Sequence, residues 1–165
     1  MIRSRKAGTE DISLIRELAE KTFLPTYRDI LSPEQLDWMF DWMYSAESLR
    51  GQMSEGHVFF IAYDDDEPCG YVSVERQDER LFHLQKIYVL PACQGKHVGK
   101  YLVQLVFDYV KSVCAGECTI ELNVNRDNKA KNFYERMGFS VARSGDFPIG
   151  NGYYMNDYIM AIKLS

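Results

Sequence analysis

Between Leu90 and Lys100 the chain reads Leu-Pro-Ala-Cys-Gln-Gly-Lys-His-Val-Gly-Lys, with a strand-like run before it and a strongly helical run after it. A helix start leaves about four backbone N–H groups unpaired and carries partial positive charge, and glycines there let oxygens approach closely. Such a junction is suited to holding phosphate. A Walker loop needs four residues between its glycine and Gly-Lys, then Ser or Thr; here three residues separate Gly95 from Gly99, and Tyr101 follows. The dinucleotide fingerprint is absent as well.

Four further residues could move a proton or a group. Tyr134 carries a phenol that is protonated at neutral pH, with a pKa near ~10, and could donate to a leaving group. With Ala130, Phe133 and Met137 it would also complete one helical face, so a core role explains it as well. Glu75 and His83 are candidate bases, with a surface strand end and a satisfied sheet histidine as their plain alternatives. Cys93 lies beside the loop, but covalent attack would need a lowered thiol pKa and a partner base. Cys69, Cys93, Cys114 and Cys118 include no Cys-x-x-Cys pair and no histidine at zinc spacing. Neither a metal site nor a disulfide framework is expected, and most of the four are read as reduced.

The elements that must position these residues follow from periodicity. Residues 2 to 7 read as a short strand, and Thr9 precedes a helix with Ile12, Ile15, Leu18 and Ala19 inward. Ser32-Pro-Glu-Gln35 is a capping box opening a helix with Leu36, Met39, Phe40 and Met43 on one face. His57 to Tyr63, Cys69 to Glu75 and Leu81 to Val89 read as an antiparallel meander, with Asp64 to Pro68 a solvated hairpin tip. Val98 to Lys111 is a helix packed on most sides, since only Lys100, Gln104, Asp108 and Lys111 form its polar stripe. A strand over Cys118 to Val124, a helix over Asp127 to Met137, a strand of roughly six residues and a long strand over Tyr153 to Leu164 complete the order. The pattern is a mixed α/β domain on one sheet.

With 46% hydrophobic and 13% aromatic residues, the 165-residue chain can bury the core of one domain spanning residues 1–165. Its formal charge of -5 argues against general affinity for nucleic acid and mildly favours a cationic small substrate. The start Met-Ile-Arg-Ser-Arg-Lys lacks an apolar targeting segment, and no run approaches the roughly 18 apolar residues of a membrane span. A cytoplasmic location and no membrane partner are expected.

The stretch Gln94 to Gly99 resembles the acetyl-CoA pyrophosphate loop of the GNAT N-acetyltransferase superfamily, Arg/Gln-x-x-Gly-x-Gly/Ala. Gln94 and Gly99 match, and His97 replaces the first glycine. Leu84-Gln-Lys-Ile-Tyr-Val-Leu-Pro91 looks like the strand before that loop, and Asn128 to Phe139 is similar to the family's later helix, which ends Phe-Tyr-Glu-x-x-Gly-Phe. The resemblance implies a mostly antiparallel sheet of six to seven strands with a splayed parallel pair, flanked by about four to five helices. It also implies acetyl-CoA as cosubstrate and no metal. The backbone of Ile87, Tyr88 and Val89 would hold the pantetheine arm, and one of its N–H groups would polarise the thioester carbonyl. Gln94, Gly95, Lys96, His97, Val98, Gly99 and Lys100 would cradle the pyrophosphate. Asn128 and Lys131 would hold CoA, and Tyr134 would lie near its sulfur.

Many relatives place a glutamate on the strand before the loop, where this chain reads Leu84-Gln85-Lys86. The base is then Glu75, His83 or ordered water. Acceptor choice falls to the early helices and the last hairpin: Tyr27, Asp29, Trp38, Trp42, Tyr153, Tyr154, Asp157 and Tyr158 suit a small primary amine or polyamine. Gly150 to Met160 looks like the polyamine and small-amine branch of the superfamily. Acetylation of a protein N-terminus or lysine, or a non-catalytic CoA-sensing module, are the alternatives. Family members are often homodimers, and the aromatic content would suit such an interface.

Overall fold

The computed structural model describes residues 1–165. The chain runs β1 (Ile2–Lys6), a 3-10 turn, α1 (Ile12–Tyr27), α2 (Pro33–Tyr44), α3 (Ala46–Ser54), β2 (Val58–Asp64), β3 (Glu67–Asp78), β4 (Leu81–Val89) and a second 3-10 turn. It continues through α4 (Val98–Val113), β5 (Cys118–Asn125), α5 (Lys131–Arg136), β6 (Ser140–Gly150) and β7 (Tyr153–Leu164). All seven strands form one sheet in the order β1-β2-β3-β4-β5-β7-β6. Every neighbouring pair is antiparallel except β4 with β5. None of the helices is long and apolar enough to cross a membrane.

Two cores lie on opposite faces. One gathers Leu102, Val103, Val106 and Val110 of α4 with Phe82, Leu84, Ile120 and Leu122 of the sheet. The other gathers Ile15, Leu18 and Phe23 of α1 with Leu36 and Met39 of α2, against Phe59, Ile61 and Tyr71. Burying one such side chain stabilises the fold by about 1.5–3 kcal/mol. The acidic tip between β2 and β3 turns through Asp65 at φ 56°, a conformation aspartate tolerates better than most residues.

Strand β4 departs from simple alternation. Its register pairs Lys86 with Ser73 and Leu84 with Val74, so Gln85 is one extra residue, a β-bulge. Phe82 and Leu84 therefore face the α4 core, whereas Lys86 and Tyr88 switch to the α1 face. The parallel pairing with β5 covers only Leu81–His83 against Thr119–Glu121. Beyond His83 the two strands separate and leave an open V.

Several elements differ from their sequence expectation. The capping box is half made: Gln35 N–H donates to Ser32 Oγ at 3.2 Å, but the Gln35 side chain reaches the Tyr154 carbonyl at 3.1 Å instead. That contact ties α2 to β7. The helix expected from Asp127 begins only at Lys131, because Asn125 Oδ1 and Asn128 Oδ1 accept from Asp127 N–H and Ala130 N–H, each at 2.9 Å. These local turns compete with helix. Strand β6 runs to eleven residues because β7 templates it along its length. The cysteine reading is corrected too: Cys114 and Cys118 are disulfide-paired, and only Cys69 and Cys93 are free. The short turn through Gly116 at φ 82° brings α4's end over β5's start, which linear spacing did not signal.

Candidate active site

The V between β4 and β5 opens into a cleft of about 850 Å³. Its floor at one end is the start of α4. Gly95 at φ +87° and His97 at φ +63° turn the chain into the helix through left-handed conformations. Tyr101 N–H is the first helical donor, to the His97 carbonyl at 3.0 Å, and the N–H groups of Val98, Gly99 and Lys100 have no backbone acceptor. Three donors therefore point out of a sixteen-residue helix, in addition to its dipole. A Cβ on Gly99 would meet the Phe133 ring at 3.3 Å, so glycine here lets α5 close against the first turn of α4.

The cleft's charge is opposite to that of the whole chain. Lys21, Lys100, Lys129 and Arg136 line it and no Asp or Glu does, although the chain carries a net charge of -5. Low-dielectric walls strengthen such a field and suit it to a polyanion.

Ile87, Tyr88 and Val89 form one wall of the cleft, on the edge of β4 that β5 has left. Tyr134 lies across from them, 8% exposed, and burial holds its phenol protonated well above the usual range, with a further rise from Tyr27. A neutral phenol there is an acid and not a base. Tyr27 and Asn123 line the same cleft from α1 and β5.

Eleven of the residues expected to bind CoA or act in catalysis meet in this cleft: Ile87, Tyr88, Val89, Gln94, Gly95, His97, Val98, Gly99, Lys100, Asn128 and Tyr134. Three do not line it. Lys96 turns to Asp64 at 2.9 Å. Lys131 lies 3.7 Å from Glu135 and over the Tyr158 ring at 5.3 Å. Glu75 is held on the sheet by Gln85 Nε2 at 2.9 Å and His57 Nε2 at 3.2 Å. His83 is also outside the lining, and burial lowers its pKa, which favours the neutral ring.

The sequence reading missed Lys21, Lys129, Arg136 and Asn123. Lys129 and Arg136 flank residues that were singled out, so their neighbourhood was a signal. Lys21 bonds Glu17 at 3.1 Å as an ordinary helix-surface pair would, and nothing in its spacing marked it.

A smaller cavity of about 400 Å³ lies on the α1–α3 side, lined by Trp42, Met43, Gln52, Glu55, His57 and Lys86 among others. Gln85 lines both cavities. Lys86 is 5% exposed and donates to Gln52 Oε1 at 2.7 Å, with Tyr44 and Phe59 rings at 5.4 and 5.6 Å. Burial pushes its pKa down to about 8, partly offset by Glu75.

A family model described as an acetyltransferase (GNAT) domain matches residues 27–157. The spermidine N(1)-acetyltransferase of Thermoplasma acidophilum is 28% identical over 146 residues, covering 85% of this chain and 89% of that protein. An uncharacterized N-acetyltransferase of Mycobacterium tuberculosis is 26% identical over 156 residues, covering 93% of this chain and 98% of its own. Among solved structures, the PaiA N-acetyltransferase of Thermoplasma acidophilum in complex with coenzyme A superposes with a TM-score of 0.80. The identity there is 24%, and 99% of each chain is covered.

Proposed function

This chain belongs to the GNAT acetyltransferase family, and from that premise we propose that it transfers the acetyl group of acetyl-CoA to the primary amine of a small molecule, a polyamine being the favoured class. The observation that carries the reading is the V itself: β4 leaves β5 after His83, directly above an α4 start with three free N–H donors. The pyrophosphate would sit on those donors, with Lys100, Lys129 and Arg136 as counter-charge. The pantetheine arm would hydrogen-bond the unpartnered edge of Ile87–Val89, as an added strand does.

The amine attacks the thioester carbon directly in a ternary complex. The N–C bond forms, the C–S bond breaks, and the departing sulfur takes the proton of Tyr134. Tyr134 suits this step because burial keeps its proton in place at neutral pH. An ammonium first gives up a proton to water, and the second proton, released from the amine nitrogen after attack, passes through water to the Tyr134 phenolate and restores the phenol. Glu75 has a holding role, since His57 and Gln85 engage it away from the cleft.

The spermidine acetyltransferase relative supports a small amine; of the aromatic residues expected to choose it, Tyr27 lines the cleft and Trp42 the smaller cavity. Calorimetric titration with acetyl-CoA and CoA, followed by thiol release over a panel of amines and peptides, tests this. Binding with thiol release on small amines is expected. Binding without release on any acceptor would make the protein a CoA sensor, and no binding would remove both readings.

A further inference from the structure

Asp157 lies on β7, 5% exposed, with Oδ1 buried and without a partner. Its Oδ2 accepts from Asn123 Nδ2 at 3.1 Å. Arg126, whose charge acts on it, lies 3.7 Å from Asp146 instead, and Asp157 is in no ion pair. A buried carboxylate held this way costs stability, and its consequence lies in the group it touches.

A carboxylate only accepts hydrogen bonds, so Asp157 dictates which way the Asn123 amide turns. The NH₂ must face Asp157, and the carbonyl oxygen is turned away from it. Asn123 is exposed and lines the cleft on β5, across the V from Ile87–Val89, and no protein donor engages its oxygen. Without Asp157 the amide could rotate and present either end.

We propose that Asn123 is an acceptor-binding residue whose amide oxygen takes an N–H of the incoming amine, and that Asp157 is the positioning residue that keeps that oxygen facing the cleft. This deepens the acetyltransferase reading above and rests on it. An acceptor is the fitting ligand because Asn123 lies on β5, across the V from the Ile87–Val89 edge assigned above to the pantetheine arm. Asn123 is a neutral acceptor at the one edge where β5 is bare. Burial raises the Asp157 pKa above the ordinary carboxylate value, and the Asn123 hydrogen bond and the charge of Arg126 oppose that rise.

Spermidine titrated into the CoA complex, and initial rates with spermidine and with a simple primary alkylamine, test the proposal on Asn123→Ala and Asp157→Asn. Asn123→Ala should weaken spermidine binding and raise its KM by about tenfold, the loss of one charge-assisted bond. The KM for acetyl-CoA should not move. Asp157→Asn, which can donate as well as accept, should raise the amine KM about threefold with an unchanged acetyl-CoA KM. Equal spermidine affinity in Asn123→Ala and the parent, or no spermidine binding to the parent's CoA complex, would overturn the proposal. An Asp157→Asn protein indistinguishable from the parent would overturn the positioning role, and if that variant does not fold, Asp157→Ser, which also removes the carboxylate, is read against the same outcome. Thiol release by the parent with an unmoved Asn123→Ala KM removes only this inference. A parent that binds spermidine but releases no thiol removes the transferase reading instead.

Discussion

The two ends of the cleft are built in different ways. The proposed phosphate end takes its hydrogen-bond donors from one run of chain, the N–H groups of Val98, Gly99 and Lys100, with Lys129 and Arg136 beside them. The acceptor end gathers Tyr27 from α1, Gln85 from β4 and Asn123 from β5, with Asp157 of β7 behind. Backbone donors need only the right φ and ψ, so His97 can stand where the family pattern has glycine. Side-chain acceptors need particular residues from distant elements held in register. The first end therefore tolerates substitution, and the second depends on contacts between elements.

Tyr134 sits between the two ends, and removing its proton should give the largest effect. Tyr134→Phe should lower kcat by about 10²–10³-fold while leaving acetyl-CoA affinity near the parent value. An equal loss of affinity would place Tyr134 among the cofactor contacts and blur the division.

On the acceptor face, Lys86 ties stability to pH. Its folded pKa is about 8 against 10.5 for a free lysine, so between those values the unfolded chain binds the extra proton. Stability should rise with pH across that window, at up to about 1.4 kcal/mol per unit, and level off below pH 8. Urea midpoints from pH 7 to 10.5 should show the rise in the parent and lose it in Lys86→Met. The same slope in both would mean that Lys86 stays charged in the fold.

At the phosphate end the expected change is smaller and of opposite sign. His97→Gly relieves a left-handed non-glycine residue, worth about 1 kcal/mol. The melting temperature should rise while CoA binding holds or improves. A clear loss of CoA binding would show that the imbalance between the two ends is wrong, because the histidine side chain then matters. The smallest effect should come from Glu75→Gln. Turnover should change by less than about threefold, with a stability loss below about 1 kcal/mol from the weakened His57 contact. A hundredfold fall in kcat would restore Glu75 to the chemistry.

Legibility in the sequence followed the same division. The hairpin tip at Asp65, the α4 start and the cleft residues of 87–100 were readable because local propensity, glycine placement and motif spacing are properties of contiguous chain. The Asp127–Ala130 segment was misread as helix because asparagine turns compete with helix over a few residues and leave no periodic trace. Lys131 and Lys96 are expected phosphate contacts by position; in the fold they lie beside Glu135 and Asp64 and outside the cleft lining.

What the sequence determined by itself was most of the order of elements, the inward faces of the helices and the glycine-bearing start of α4. These rest on period, capping and backbone geometry, which act within a few residues. Only the tertiary structure decided that Gln85 bulges and turns Lys86 to the α1 face, that Cys114 meets Cys118, and that Asn123 donates to Asp157. The first and third depend on which strands lie side by side and in which register, since a one-residue change of register sends a strand's side chains to the other face. The second depends on the turn through Gly116 that folds the end of α4 over the start of β5.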